Sequence, residues 1–234
     1  MKIIGLLGGM SWESTAEYYR LVNEGVKERL GGLHSARILM YSVDFEPIEK
    51  LQHAGEWAEA ARILIDAARR IEAGGADFLV ICTNTMHKLA DEISHATGIP
   101  ILHIADATAD RIKSAGMSRV GLLGTKFTME EEFYKGRLAE RHGLDVLIPN
   151  DEDRQRVHDV IYDELCVGKI REESKRGFAR IIDDLVGRGA EGIILGCTEI
   201  GLLVKSGDVD VPLFDTTAIH AAKAVEWALT NDDA

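Results

Sequence analysis

Short apolar runs and amphipathic stretches alternate along the whole chain. Runs of strand length fall at residues 3–7, 38–43, 78–82, 99–104, 120–123, 146–148, 193–195 and 211–214. Helical patterns of about ten to twenty residues separate several of them. In residues 57–73, for example, Ala61, Leu64, Ile65 and Ala68 recur at the spacing of one helix face. Ser14 with Glu17, and Thr128 with Glu131, have the spacing of capping boxes and predict two helix starts. Strands that alternate with helices form parallel sheet, because the crossovers cover its faces. The predicted class is α/β.

Three segments recur in the same order. Residues 2–8 (KIIGLLG) resemble 119–125 (RVGLLGT). Residues 74–85 (GGADFLVICTNT) match 188–199 (RGAEGIILGCTE), with Ala76 and Ala190 separated by 114 positions. Residues 99–102 (IPIL) then match 211–214 (VPLF), with Pro100 and Pro212 separated by 112. Such self-similarity predicts two similar α/β domains of about four strands each. In sheets of this kind ligands bind beyond the carboxyl ends of the strands. The polar clusters fall there: Met10-Ser11-Trp12-Glu13, Cys82-Thr83-Asn84-Thr85, Gly124-Thr125 and Cys197-Thr198-Glu199. Small hydroxyl and amide residues at such turns suit an anion, since free backbone N–H groups favour negative charge. The internal alignment pairs Thr83 with Cys197. Two domains facing each other across a cleft would bring this pair to one ligand from opposite sides.

Composition narrows the chemistry. With 234 residues, 46% of them hydrophobic, 28% charged and only four prolines, the chain reads as one or two folded domains. A net charge of −12 argues against a nucleic-acid partner, which needs clustered Lys and Arg. No apolar run approaches the ~18 residues of a membrane span, and the run in residues 1–10 is too short for a secretory leader. Three cysteines do not make a disulfide framework, so a cytoplasmic protein with reduced thiols is expected. The turn Gly5-Leu6-Leu7-Gly8-Gly9-Met10 lacks both nucleotide-binding spacings. Cys82, His87, Cys166 and Cys197 lack paired metal-ligand spacing, and no Gly-x-Ser-x-Gly elbow is present. No cofactor and no metal are expected. Cys197, opening a loop beside Thr198 and Glu199, is the candidate for chemistry. Helix-start N–H groups there would lower its pKa from ~8.5 toward neutrality. Cys82 sits one place earlier in the repeat and reads as packing, and Cys166 as structural within a helix over 157–167. Asp44, Glu46 and Gln52 follow the second strand, in place to line the mouth of the cleft, with solvated loop the default for all three.

The Gly-Gly-Met turn, Asn84-Thr85-Met86-His87, Gly124-Thr125-Lys126-Phe127-Thr128 and Gly196-Cys197-Thr198-Glu199 together resemble the aspartate/glutamate racemase superfamily, in its branch close to aspartate racemase. The resemblance spans the whole chain. It implies an N-terminal domain of residues 1–99 and 212–234, a C-terminal domain of 100–211, an active site between them, and a homodimer. It also implies proton transfer at the α-carbon of an amino acid without pyridoxal phosphate or metal. Members place a cysteine on each side of the substrate; here the second is Cys197, while the first position is Thr83. Aspartate racemases also tend to carry an Arg near Gln52 and a Lys near Cys166, and this chain has neither. The expected roles follow. Cys197 abstracts the proton, supported by Glu199, and Thr83 delivers or relays one on the other face. Met10, Gln52, Asn84, Thr85, Thr125, Thr128 and Thr198 are the expected substrate contacts. Aspartate or glutamate is the first expected substrate and a broader range of neutral polar amino acids the alternative. A single-cysteine decarboxylase or cis–trans isomerase of the superfamily, or a non-catalytic amino-acid-binding protein, are the rival functions.

Overall fold

The computed structural model describes residues 1–230. The chain divides into two compact units, Met1–His103 with the stretch from His220 onward, and Ile104–Ile219. The first unit begins with β1 (Ile4–Gly8), α1 (Trp12–Leu30), β2 (Ile38–Ser42), α2 (Phe45–Ala54) and α3 (Trp57–Ala73). It continues with β3 (Phe78–Ile81), a 3-10 turn (Thr85–Leu89) and α4 (Ala90–Ala96). The second contains α5 (Ile104–Ser114), β4 (Arg119–Gly124), α6 (Lys126–Glu130), α7 (Lys135–His142), β5 (Asp145–Leu147) and α8 (Asp151–Asp163). A 3-10 turn (Leu165–Val167), α9 (Glu172–Gly187), β6 (Ile193–Gly196), α10 (Ile200–Leu203) and β7 (Leu213–Asp215) follow. Helix α11 (Thr216–Leu229) starts in the second unit and, from His220 on, belongs to the first.

Both sheets are parallel, with strand orders β2-β1-β3 and β5-β4-β6-β7. The repeat extends to the register: Gly5 lies opposite Leu79, and its counterpart Gly121 lies opposite Ile193. One expectation fails here. The run at 99–104 is not a fourth strand but a single bridge from Ile101 to Leu79, and α5 begins at Ile104. Only two backbone bonds form, Leu79 N–H to Pro100 O and Leu102 N–H to Leu79 O. Pro100 has no N–H of its own to extend the ladder. The units divide at 103/104 and 219/220, where the sequence set 99/100 and 211/212, because β7 bonds to β6 of the second sheet. Residues 231–234 of the expected N-terminal domain lie outside the described residues.

Alternation along the strands splits the first unit's core in two. Leu7, Leu79 and Ile81 pack on the α3 face made by Ala60, Leu64, Ala68 and Ile71. Ile4, Leu6, Phe78 and Val80 pack on Tyr18, Val22 and Val26 of α1 and on Ala224 and Val225 of α11. Each such aliphatic side chain contributes roughly 1.5–3 kcal/mol by leaving water. Strand β2 differs: at this sheet edge Met40 and Tyr41 remain exposed. The second unit has one continuous core, with Leu122, Leu123, Ile193 and Ile194 between Phe178, Ile181 and Leu185 of α9 and residues of α5.

The helix starts also depart from expectation. Ser11, not Ser14, caps α1, accepting from Ser14 N–H at 3.2 Å. Thr125, not Thr128, caps α6, accepting from Thr128 N–H at 3.3 Å. In both units the helix starts within a few residues of the strand end, so the cap falls three residues before the one with the matching Glu. Among the described residues no helix is long and apolar enough to cross a membrane.

Candidate active site

Four turns at the carboxyl ends of strands carry most of the expected site residues. In the first unit β1 runs into Gly9, whose φ of +95° is left-handed, and a Cβ there would collide with the Val43 carbonyl. Gly9 N–H donates to Thr15 Oγ1 at 2.8 Å. Met10 follows, buried in the core cluster that holds Ile48 and Met86. From α2, Gln52 reaches the same cluster: it is buried, and its Nε2 donates to Met86 Sδ at 3.7 Å. Gln52 Oε1 is buried too, with no hydrogen-bond partner among the described residues. After β3, Thr83 is half-buried, and Asn84 and Thr85 are buried. Cys82, one residue earlier, points into the α1 core, where burial raises its pKa.

In the second unit the ends of β4 and β6 lie side by side without side chains. Gly124 is opposite Gly196, and a Cβ on Gly196 would come within 2.9 Å of Leu123 O. Thr125 and Thr128 are buried beside them, their hydroxyls 3.2 Å apart. Cys197 is half-buried at the end of β6, and its Sγ donates to Glu199 Oε2 at 2.9 Å. Glu199 itself is buried. Thr198 shares a hydrogen bond with Thr217 at 3.1 Å.

The thiol does not behave as the sequence led us to expect. Burial pushes the Cys197 pKa well above its ordinary value, and the negative charge of Glu199 and the neighbouring Cys166 push the same way. A hydrogen bond from the Glu199 backbone opposes this and loses. The helix that follows, α10, has four residues and supplies too little dipole to compete. Cys166 lies in the 3-10 turn Leu165–Val167 rather than within a helix over 157–167, because α8 ends at Asp163.

Within the first unit, then, Met10 and Gln52 share one buried cluster, while Thr83, Asn84 and Thr85 share one turn. Within the second, Thr125 joins Thr128, and Cys197 joins Glu199. Sequence reasoning missed the end of β7. Asp215 Oδ1 accepts from Thr217 N–H at 2.9 Å and Ala218 N–H at 3.1 Å, and Thr216 Oγ1 donates to Leu195 O at 2.8 Å. A polar Asp-Thr-Thr directly after a strand was the available signal. Among the described residues no group of three or more His, Cys, Asp or Glu side chains is arranged to hold a metal ion.

The candidate residues thus sit on two parallel sheets of an α/β fold, with a thiol hydrogen-bonded to a carboxylate beyond the end of one strand. The comparisons place the chain more closely. Residues 7–224 match the family model for Asp/Glu/Hydantoin racemase. The crystal structure of a Yersinia pestis protein of the Asp/Glu racemase type superposes with a TM-score of 0.93 at 56% identity, covering 98% of this chain and 100% of that one. An aspartate racemase homologue from Pyrococcus horikoshii OT3 follows at 0.85 and 37%, with the same coverage. The broad specificity amino-acid racemase RacX of Bacillus subtilis is 25% identical over 97% of this chain and 98% of its own. The chain belongs to the Asp/Glu/Hydantoin racemase family. It is an isomerase, an amino-acid racemase of the class that works without pyridoxal phosphate.

Proposed function

We propose that the protein interconverts the enantiomers of a small polar amino acid, with Cys197 and Thr83 serving opposite faces of the α-carbon. The observation that carries this reading is the 2.9 Å bond from Cys197 Sγ to Glu199 Oε2. A carboxylate that already receives the thiol hydrogen can take it fully when substrate arrives. The resulting thiolate, whose high pKa makes it a strong base, then removes the α-hydrogen. Thr83 gives or relays a proton to the opposite face and is restored from water, while Glu199 passes the proton it took to the hydroxide left behind, so that thiol, carboxylate and hydroxyl end each turnover as they began. Charge building on the substrate carboxylate needs fixed donors, and backbone N–H groups of both turns, with Asn84, Thr85 and Thr198, are suited to supply them. Thr125 and Thr128 serve chiefly to shape the end of β4, since Thr128 is fully buried.

Aspartate or glutamate comes first as substrate, on the family. A wider range of polar amino acids is favoured by Gln52, an uncharged amide with an unused acceptor, and by the broad specificity of the Bacillus subtilis relative. A homodimer is proposed on the resemblance and on the uncovered edge strand β2. A cytoplasmic setting is supported by three free cysteines.

Exchange in deuterated solvent tests the assignment. Wild type should incorporate deuterium at the α-carbon of an intact amino acid and invert it. Cys197→Ala should lower both by about 10³-fold or more, and Thr83→Cys should speed exchange of the enantiomer that presents its hydrogen to that side. Release of carbon dioxide would indicate a decarboxylase instead, and binding without exchange a non-catalytic protein. Wild-type exchange rates in Cys197→Ala would refute the assignment.

A further inference from the structure

The turn that carries Thr83 is braced from behind. Both carbonyls flanking its Cα are occupied by side chains. Ser14 Oγ donates to Cys82 O at 3.1 Å, and His87 Nδ1 donates to Thr83 O at 2.8 Å. A carbonyl only accepts, so Nδ1 carries the hydrogen. His87 is buried, and its ring packs between two others, with centroids 4.6 Å from His103 and 5.7 Å from His220. His220 is fully buried and anchored at both nitrogens: Nε2 donates to Leu102 O at 2.8 Å, and Nδ1 accepts from Tyr18 OH at 2.8 Å. Burial pushes its pKa down to about 4, so at neutral pH these bonds keep their direction.

The counterpart turn is not built this way. At the 114-residue offset His87 corresponds to Gly201, which has no side chain, and Cys197 O accepts instead from the backbone N–H of Ile200 at 3.2 Å. The brace therefore belongs to the Thr83 turn and not to the repeated fold.

We propose that His87 is a positioning residue for proton transfer on the Thr83 face, fixing the Thr83 peptide, with His103, His220 and Tyr18 holding its ring in place. The inference rests on the reading of Thr83 given above. A free peptide at residue 83 would let the hydroxyl swing away from the α-carbon, while Cys197 would still abstract and return hydrogen on its own face. Loss of the brace should then uncouple exchange from inversion.

The test follows α-deuterium incorporation with retention and with inversion, starting from the enantiomer that Cys197 deprotonates. In His87→Leu the ratio of retentive exchange to inversion should rise about 10-fold or more, as expected for a misplaced catalytic group. His87→Asn keeps an N–H near the Nδ1 position and should restore most of the wild-type ratio. If His87→Leu does not fold, Ser14→Ala removes the other brace and should raise the ratio about 3-fold. A ratio unmoved in the folded variant, or His87→Asn no better than His87→Leu, overturns the inference while leaving the racemase reading intact. A wild type that exchanges no α-hydrogen overturns both.

Discussion

The turns after β3 and β6 occupy the same place in two copies of one strand pattern, yet they are built for different ends. After β3 the polar groups are tied to the scaffold, with Ser14 on one carbonyl and His87 on the next. After β6 the bond of interest joins side chain to side chain, thiol to carboxylate. The cysteines make the same point. Cys82 is shifted one residue from Cys197 in the repeat, which sends it into the core, where burial alone raises its pKa. Cys197 is raised by burial and by an adjacent acid that accepts its hydrogen bond. Duplication preserves strand order and register, while the residues at the strand ends are free to diverge.

The contrast can be broken most sharply at Glu199. Glu199→Gln keeps a hydrogen-bond acceptor but removes the carboxylate proposed to take the thiol proton, and the rate near neutral pH should fall about 10²-fold. The remaining activity should climb with pH, because solvent must then deprotonate the thiol. An undiminished rate with a flat pH profile would show that Glu199 takes no part.

On the first unit's side the largest expected effect is on stability. The folded state holds His220 neutral down to about pH 4, whereas an unfolded histidine takes a proton near pH 6.5. Stability from this group is therefore complete above pH 6.5 and is lost as pH falls toward 4, a change of about 3 kcal/mol. Denaturant titrations of wild type and His220→Gln across this window should diverge, the variant showing the shallower decline. Parallel curves would mean that His220 is not the titrating group.

The smallest effects test the equivalence itself. Ser11→Ala and Thr125→Ala remove matching caps, and each should cost about 1 kcal/mol in chemical denaturation. Very unequal losses would show that the two strand-to-helix junctions are no longer the same device.

Much of the architecture was legible in the sequence because burial on both sheet faces writes itself as continuous apolar strands. The 99–104 run misled for a local reason: apolar side chains satisfied the pattern, but Pro100 limits the ladder to a single bridge. The capping-box spacing points three residues too far along at both helix starts, because each helix begins within a few residues of its strand end and is capped by Ser11 or Thr125. At the site, Cys197 and Thr83 fall at matching turns of the internal repeat. The direction of the thiol's pKa shift does not show in sequence, since it depends on how deeply the strand end is buried. Nor do the edge-to-face rings of residues 87, 103 and 220, because only the tertiary fold brings such distant positions together.

Helix α11 has a consequence for how the chain is made. Its Ala221, Ala224, Val225 and Ala228 complete a core whose other members lie within the first 102 residues. As the ribosome releases the polypeptide, the opening half emerges early but lacks one wall. It must wait through synthesis of the whole intervening unit before that wall arrives, so the domain begun first is finished last.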